Sequence, residues 1–555
     1  MGPGTDSSPS RSNGRSSTAS PEELYANAVS SYSRQGAEAT LFPGPHFERL
    51  GTYLKAPFYR RRDTAAAAGF PFFVLYQGLG LDRTRRTEAT SPDQVAALAR
   101  DHPGGNQLLF LRGQPSPEWL SGVGSRFGVD PEYFQRHMDI ILAVGRAKYY
   151  AQPSLPSASS QVVQLRYFTL SKTVKPSFKA DQTDQLRLSA RKKMDDYITA
   201  TSQKLEHGNA VGNSIVRDFS LFSNGRWAIE QCISLCVNRT ETGWTAVAWV
   251  DTGKDLNECP RGPWKDHWEH SHTDYRAFLP TVQSYPHCSL HPQRESVAQD
   301  PMPKPQFAQS ASLLHRNYGK RLDKAMMGVD AFYSFHEIFK FCAFSQVQFL
   351  NMIEDCISEA VDLESPEHMS IAQSNLVYAQ DLLDRQVEIL RSTIEIIKAR
   401  GGPTWPKATT TDWAHPSNEQ VQSDKDCAQA AEELRKDFEH LHACAIRLSE
   451  ACKSKISHLT SRAALAESRK GIDQAREMAY LTRLAFIFIP LGFVTSFFGM
   501  NLEPIAAGNY PLWIFFVIAV PFIILALGLM YWDRTSIALR GLLFSAKESA
   551  RTNPC

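Results

Sequence analysis

LAFIFIPLGFVTSFFGMNL, residues 484–502, contains no charged side chain. A helix that spans a bilayer needs about 20 predominantly apolar residues, so this run predicts one. A second uncharged run extends from Ile505 to Trp532, and its apolar body reads YPLWIFFVIAVPFIILALGLMYW. Tyr510 and Trp513 stand at one end of it and Tyr531 and Trp532 at the other, where amphipathic rings favour the membrane–water boundary. Pro490 and Pro521 lie inside the runs, a position tolerated in lipid when neighbouring helices cover the freed carbonyls. Two core helices of a soluble domain are the alternative, but both runs are long and apolar on every face.

The flanking charges orient these spans. Arg476 and Arg483 precede the first, and Arg534, Arg540 and Lys547 follow the second, while the connecting loop has neither Lys nor Arg. The excess of positive charge predicts that both termini face the cytoplasm. The expected layout is a transmembrane helix at 484–502, an external loop at 503–510, a second transmembrane helix at 511–532 and a cytoplasmic tail at 533–555.

Upstream, no proline occurs between Pro416 and Pro490, and Gly471 is the only glycine between Ser417 and Pro490. Leu434, Phe438, Leu441, Ala445, Leu448, Cys452, Ile456, Leu459, Ala463 and Ala466 recur at three- and four-residue steps, which predicts a coiled-coil-like stalk helix over 425–483. A helical pair is expected over 321–401. Its second member carries Leu376, Ala379, Leu383, Val387, Leu390, Ile394 and Ile397 on one face, with Gly401 as its stop. A linker at 402–424 joins the pair to the stalk.

Earlier, PFFVLYQGLG, NQLLFLRG, SQVVQLRYFTL, RWAIEQCISLCVNR and GWTAVAWVDTG are short β-rich runs bounded by turn residues. SPDQVAALARDH and PEYFQRHMDIIL lie among them as helical pieces. The fold class expected is therefore an α+β membrane protein. An N-terminal cytoplasmic α/β domain at 41–320 leads through the stalk helix to two C-terminal transmembrane helices. Residues 254–304 are polar and His/Pro-rich and are expected to be an inserted loop. Residues 1–40, rich in Ser, Gly and Pro at their start, are expected to be a disordered tail.

The formal net charge is +2, from 60 Lys and Arg against 58 Asp and Glu. That balance leaves no footprint for nucleic acid. Ten scattered cysteines and no apolar N-terminal run fit free thiols in a reducing cytosol. Asp6 stands where a myristoylation signal needs Ser or Thr.

Around the first span the sequence reads Met478-x-x-Leu481-Thr482, then Ile487-Phe488-x-Pro490-Leu491, then Phe493, then Gly499-Met500-Asn501. This order and spacing, over about 60 residues from Ile472 to Asp533, resembles the CorA-type magnesium transporters, in a divergent, fungal-like eukaryotic branch. The resemblance implies a homopentamer in a lipid bilayer that carries Mg2+ as its transported ion, with no cofactor and no enzymatic activity. The plasma membrane is the expected location, with the vacuole as the alternative. Zinc or another divalent cation as cargo, or a membrane-anchored coiled-coil scaffold without transport, are the competing functions.

The residues suit such a path. Two helices per chain cannot enclose an aqueous pore, so several copies must share an axis. A ring of Asn501 amides can contact the waters that Mg2+ surrenders reluctantly, and so select a hydrated ion without trapping it. Asn501 is thus the expected metal-contacting residue, and Gly499, Met500 and Asn501 the selectivity motif. A simple helix stop, with glycine and asparagine tolerating a left-handed backbone, is the alternative for this triplet. Glu503, the only acid of the loop at 503–510, would add a negative collar. Met478 and Leu481 share one helix face, and the resemblance places them at a hydrophobic gate and places Ile489 and Gly492 along the pore. Many members carry threonine at Gly492's position, so a hydroxyl ring is missing there. Thr495 and Ser496 are expected to fall outside that register. Where the family's regulatory carboxylate stands this chain has Ala464, and Glu467 and Asp473 are near but not in register. Cys259, His267, His270, His272, Cys288 and His291 in the insertion are competent zinc ligands without the spacing of any standard finger.

Overall fold

The computed structural model describes residues 19–35, 43–59, 70–81, 84–98, 105–142, 155, 160–171, 180–206, 210–266, 277–283, 308–362, 368–407, 418–500 and 513–528. It divides into two units, Met1–Ile456 and Ser457–Cys555.

The first unit begins earlier than its sequence suggests. Helix α1 (Pro21–Arg34) forms inside the stretch expected to be a disordered tail. Ser20 caps it by accepting the Glu23 N–H at 3.2 Å, Pro21 opens its first turn, and Glu22 and Glu23 face the helix N-terminus. Ala26 and Val29 are buried in the core. Gly124 makes room for this helix, since a Cβ there would lie 2.4 Å from the Tyr25 ring.

After α2 (Pro45–Tyr59) comes β1 (Phe73–Leu79), then β2 (Arg85–Ala89), α3 (Pro92–Leu98), β3 (Asn106–Arg112), α4 (Pro117–Phe127), α5 (Pro131–His137) and the single turn α6 (Asp139–Leu142). The sheet is completed by β4 (Val163–Leu170), β5 (Asp218–Leu221), β6 (Trp227–Thr240) and β7 (Gly243–Val250), with α7 (Thr183–Glu206) between β4 and β5. Its order is β2-β1-β3-β7-β6-β4, with β5 also on β6. β3 and β7 run parallel and the other paired strands antiparallel. The β-rich runs of the sequence become β1, β3, β4, β6 and β7. The short β2 and β5 carry too few apolar residues to have announced themselves.

Both faces of the sheet are covered, which is why the central strands read as unbroken apolar runs rather than alternating ones. Phe73, Leu75, Leu109, Leu111, Val247 and Trp249 pack toward α1, α2, α4 and α5. Tyr76 and Phe110 meet Tyr318 edge-on beyond those helices' core. At one edge β2 exposes Arg85, Arg86 and Glu88, charges that discourage pairing with another chain. At the other, the Phe168 N–H donates to Ser345 Oγ at 2.7 Å and Gln346 Nε2 donates to the Arg166 carbonyl at 2.8 Å, closing the edge of β4.

Those two side chains belong to a helical layer. It comprises α8 (Lys324–Val329), α9 (His336–Asp362), α10 (Met369–Lys398) and the start of α11 (Asn418–Phe498). The stop of α10 differs by one residue from expectation. Arg400 (φ 52) takes the left-handed position, with its N–H on the Ile397 carbonyl at 2.9 Å and the Gly401 N–H on Ile396 at 3.0 Å. Asp330 and Asp424 hold its guanidinium there. Gly401 (φ 86) is required next, because a Cβ would lie 2.1 Å from the Trp405 ring. The linker expected at 402–424 is therefore anchored at its head. Trp405 is buried against Phe335 at 5.4 Å, and the Ala331 N–H donates to the Pro406 carbonyl at 3.1 Å.

Two further expectations change. The inserted loop expected at 254–304 contributes core residues from both of its described stretches, 254–266 and 277–283. Leu256, Cys259, Trp264, Ala277 and Phe278 pack with Tyr197 of α7 and Trp227 of β6. The coiled-coil-like seam of the stalk is covered within the chain over its first half. Leu434, Phe438, Leu441, Ala445, Leu448 and Cys452 are buried, and Phe438 meets Phe339 of α9 edge-on at 6.2 Å. Ser449 Oγ donates to Asp384 of α10 at 2.5 Å.

In the second unit α11 continues without a break at 483/484, where stalk and span were expected to meet, and ends at Phe498 rather than 502. Among the described residues it is the one helix long and apolar enough to cross a membrane, with a window of mean hydropathy 1.6 of which 6% is buried. The second apolar helix, α12 (Trp513–Gly528), is shorter than the span expected at 511–532. Residues 529–532 lie outside the described residues.

Candidate functional site

The segment singled out by its sequence is the last third of α11. Met478, Leu481 and Ile489 are 64%, 59% and 70% exposed. Gly492 is exposed, and a Cβ placed there would meet nothing within 4 Å. At 3.6 residues per turn these four share one face. The covered residues fall opposite: Leu484, Ile487 and Leu491 are half-buried and Val494 is 3% exposed. On α12 Ile514, Ala519, Ile523 and Ala526 form a similar covered stripe. The isolated chain thus shields one side of this helix and leaves the Met478–Gly492 side bare.

The helix ends on glycine, as the triplet's spacing suggests. The Gly499 N–H donates to Thr495 at 3.0 Å and to Ser496 at 3.2 Å, and the Met500 N–H to Phe497 at 3.3 Å. Met500 is exposed. Asn501 and Glu503 lie outside the described residues, as does the loop at 503–510. Thr495 Oγ1 donates to the Gly492 carbonyl at 2.9 Å. Ser496 is exposed and, contrary to the sequence reading, in register. It follows Gly492 by four residues and Met478 by eighteen, about five full turns. That spacing was the signal that sequence reasoning passed over. Ala464, Glu467 and Asp473 are exposed on the same helix, and Asp473 makes a 3.7 Å ion pair with Arg476.

Of the possible zinc ligands only Cys259 is described; His267, His270, His272, Cys288 and His291 lie outside. Cys259 Sγ accepts the Ser214 N–H at 3.2 Å, and burial pushes its thiol up to about 12, so it is a packed structural thiol. Among the described residues no group of three His, Cys, Asp or Glu side chains could hold a metal ion.

One arrangement in the first unit imitates catalytic machinery. His137 Nδ1 lies 2.8 Å from Ser234 Oγ, and its Nε2 lies 3.1 Å from Asp251 Oδ1, poorly aligned for a hydrogen bond. The imidazole and the carboxylate are fully buried and Ser234 is 0% exposed, so no substrate reaches the hydroxyl. A cleft of about 720 Å3 between α7, α10 and the sheet passes nearby, yet none of the three lines it. The cluster is instead a brace. Arg217 donates to Asp251 at 2.7 and 3.1 Å, to Asp139 at 3.1 Å and to the His137 carbonyl at 2.8 Å. Against the upward push of burial, the Arg217 guanidinium holds the Asp251 carboxyl down at about 2.

Burial keeps His137 neutral, with its pKa lowered to about 4. His336 is lowered to about 4 and His315 to about 3, again chiefly by burial. Below pH 6.5 the unfolded chain takes up protons that these folded histidines refuse. Stability is therefore complete above about 6.5 and falls as the pH drops toward 4, by up to about 1.4 kcal/mol per pH unit for each histidine. Thermal unfolding followed by circular dichroism is expected to show a constant midpoint from pH 8 to 7 and a steepening fall below 6.5.

A mixed α/β unit followed by a helix that loses all charge from Leu484 to Phe498 is the layout of a membrane-anchored protein. Residues 405–532 match the family model described as CorA-like Mg2+ transporter protein, and over that segment the chain is CorA-like. No curated protein matches the chain. Among solved structures it matches the CorA magnesium transporter from Methanocaldococcus jannaschii at 11% identity, with 82% of this chain and 96% of that chain covered and a TM-score of 0.34.

Proposed function

We propose that this chain is one subunit of a channel-like transporter for divalent cations, with Mg2+ as its ion. The observation that carries the proposal is the bare face of α11. Met478, Leu481, Ile489 and Gly492 lie on one side of a helix that carries no charge from Leu484 onward and is followed in sequence by Gly499-Met500-Asn501, within the segment that matches the family model. Several copies around an axis would cover that face and turn it into a wall. The expected number is five. The Met478 and Leu481 rings would close the cytoplasmic end by dewetting, Ile489 and Gly492 would line the middle, and the Asn501 amides would contact the hydrated ion at the mouth. Glu503 would raise the local cation concentration outside. With both termini in the cytoplasm of a plasma or vacuolar membrane, a divalent ion gains about 4.6 kcal/mol per 100 mV on entry.

The test is flux into vesicles that hold the purified full-length chain and a Mg2+-sensitive dye. Mg2+ entry is expected to rise with an inside-negative potential. Faster Zn2+ than Mg2+ entry would reassign the ion. An intact oligomer that moves neither would leave a membrane-anchored scaffold, the reading that Ala464 and Gly492 favour.

A further inference from the structure

We infer that α7 and α10 are the two jaws of a clamp that closes over the cleft between them, by pairing Arg191 with Asp381, Asp195 with Arg385 and Ile198 with Ile389. The inference lies wholly within the first unit and does not rest on the pore reading.

The two helices are joined at one end of the cleft. Ser374 Oγ of α10 donates to Asp184 Oδ2 of α7 at 2.7 Å, and the Arg187 guanidinium lies over the Tyr378 ring at 4.0 Å. The Leu221 N–H donates to Tyr378 Oη at 3.3 Å, which pins this end to β5. Beyond the joint the helices line opposite sides of a cleft of about 720 Å3. Both advance about 1.5 Å per residue, so equal steps from the joint reach equal levels. Position 184 meets 374 and 187 meets 378. The same offset carries 191 to 381, 195 to 385 and 198 to 389, all of which line the cleft.

At those levels the side chains are complementary. Arg191 of α7 stands at the level of Asp381 of α10, and Asp195 at the level of Arg385. The signs alternate along each wall and oppose across the gap, and the next level carries isoleucine on both sides. Arg191, Asp195 and Asp381 are exposed and make no ion pair among the described residues. Arg385 donates through Nη1 to Asp218 at 2.8 Å and through Nη2 to Glu230 at 3.1 Å. A guanidinium has five N–H donors, so donors remain for Asp195. Ile198 and Ile389 are half-buried, and closing the gap takes their remaining apolar surface out of water. Exposed ion pairs are individually weak; here they fix the register in which the walls meet. One turn of α10 is also tied to the stalk: Asp384 accepts from Ser449 Oγ of α11 at 2.5 Å and lies 3.6 Å from Lys453 Nζ. The stretch of α10 that forms the jaw is thus the stretch that holds α11.

The experiment uses the full-length chain in detergent with Arg191→Lys, which keeps the charge at an exposed position, and a zero-length carbodiimide. The reagent joins an amine to a carboxylate only in direct contact. A peptide linking positions 191 and 381 is expected by mass spectrometry at low salt, and its yield is expected to fall about three- to tenfold between about 0.05 and 0.5 M salt. Asp195→Lys, which sets a like charge against Arg385, is expected to lower the 191–381 yield by a similar factor, although it removes a competing carboxylate from α7. In a second chain, Ile198→Cys with Ile389→Cys is expected to form a disulfide under mild oxidation, which requires Cα atoms within about 7 Å. No 191–381 link at low salt would overturn the inference, whatever the cysteine pair does. A link whose yield neither salt nor Asp195→Lys alters would overturn it too, because the walls would then meet without pairing their charges.

Discussion

Arg217→Ala is expected to cost the first unit about 3–5 kcal/mol, because it leaves the Asp251 carboxylate buried without its counter-charge. Asp251 is fully buried and Arg217 nearly so. The pair also fixes Asp139 of α6 and the carbonyl that ends α5, and the Cys232 N–H donates to Asp251 Oδ2 at 2.6 Å. Removing the guanidinium therefore loosens two helices and two strands together. Total stabilities of domains are about 5–15 kcal/mol, so the variant stands near the unfolding threshold. Trp249 stacks on His137 at 4.0 Å and reports the site by fluorescence during urea unfolding. The midpoint is expected to fall with little change in slope. Arg217→Met combined with Asp251→Asn removes both charges and is expected to lose much less. A loss below about 1 kcal/mol in the single variant would show that water enters and solvates Asp251.

The second large effect belongs to the mouth of the proposed pore. Asn501→Ala is expected to reduce Mg2+ flux at least about tenfold, equivalent to about 1.4 kcal/mol on the barrier. In the proposed oligomer the change deletes every amide of the ring at once while leaving the backbone stop at Gly499 in place. Asn501→Asp separates binding from conduction. Carboxylates hold the ion more strongly, so apparent affinity is expected to rise while the maximal rate falls. Flux against Mg2+ concentration in vesicles gives both quantities from one titration. Wild-type kinetics in the alanine variant would mean that Gly499 and Asn501 serve only to end the helix.

Much of this chain follows from local chemistry. An uncharged run favours an apolar solvent, so residues 484–502 predicted a membrane segment, and α11 is long and apolar enough there to cross one. The apolar runs of β1, β3, β4, β6 and β7 marked a sheet, and the glycine after Phe498 marked the end of α11. The ordering of Met478, Leu481 and the triplet carried the family resemblance, and the match over residues 405–532 agrees with it.

Other features depend on partners distant in sequence. Ala26 and Val29 are unremarkable apolar residues in a polar segment, and α1 holds because Tyr25 reaches the Val129 carbonyl at 2.8 Å, beside a residue as small as Gly124. Cys259 resembled a metal ligand until Ser214 and the packing of Trp264 surrounded it. Ser234, His137 and Asp251 meet only because β6, α5 and the end of β7 converge. The seam from Leu434 to Cys452 had coiled-coil-like spacing, and α9 and α10 of the same chain cover it. Hydrophobic spacing specifies a face to be buried and says nothing of what buries it. Solvent preference and backbone stereochemistry act residue by residue and are written in the sequence, whereas burial and ion pairing are properties of groups that only the folded chain brings together.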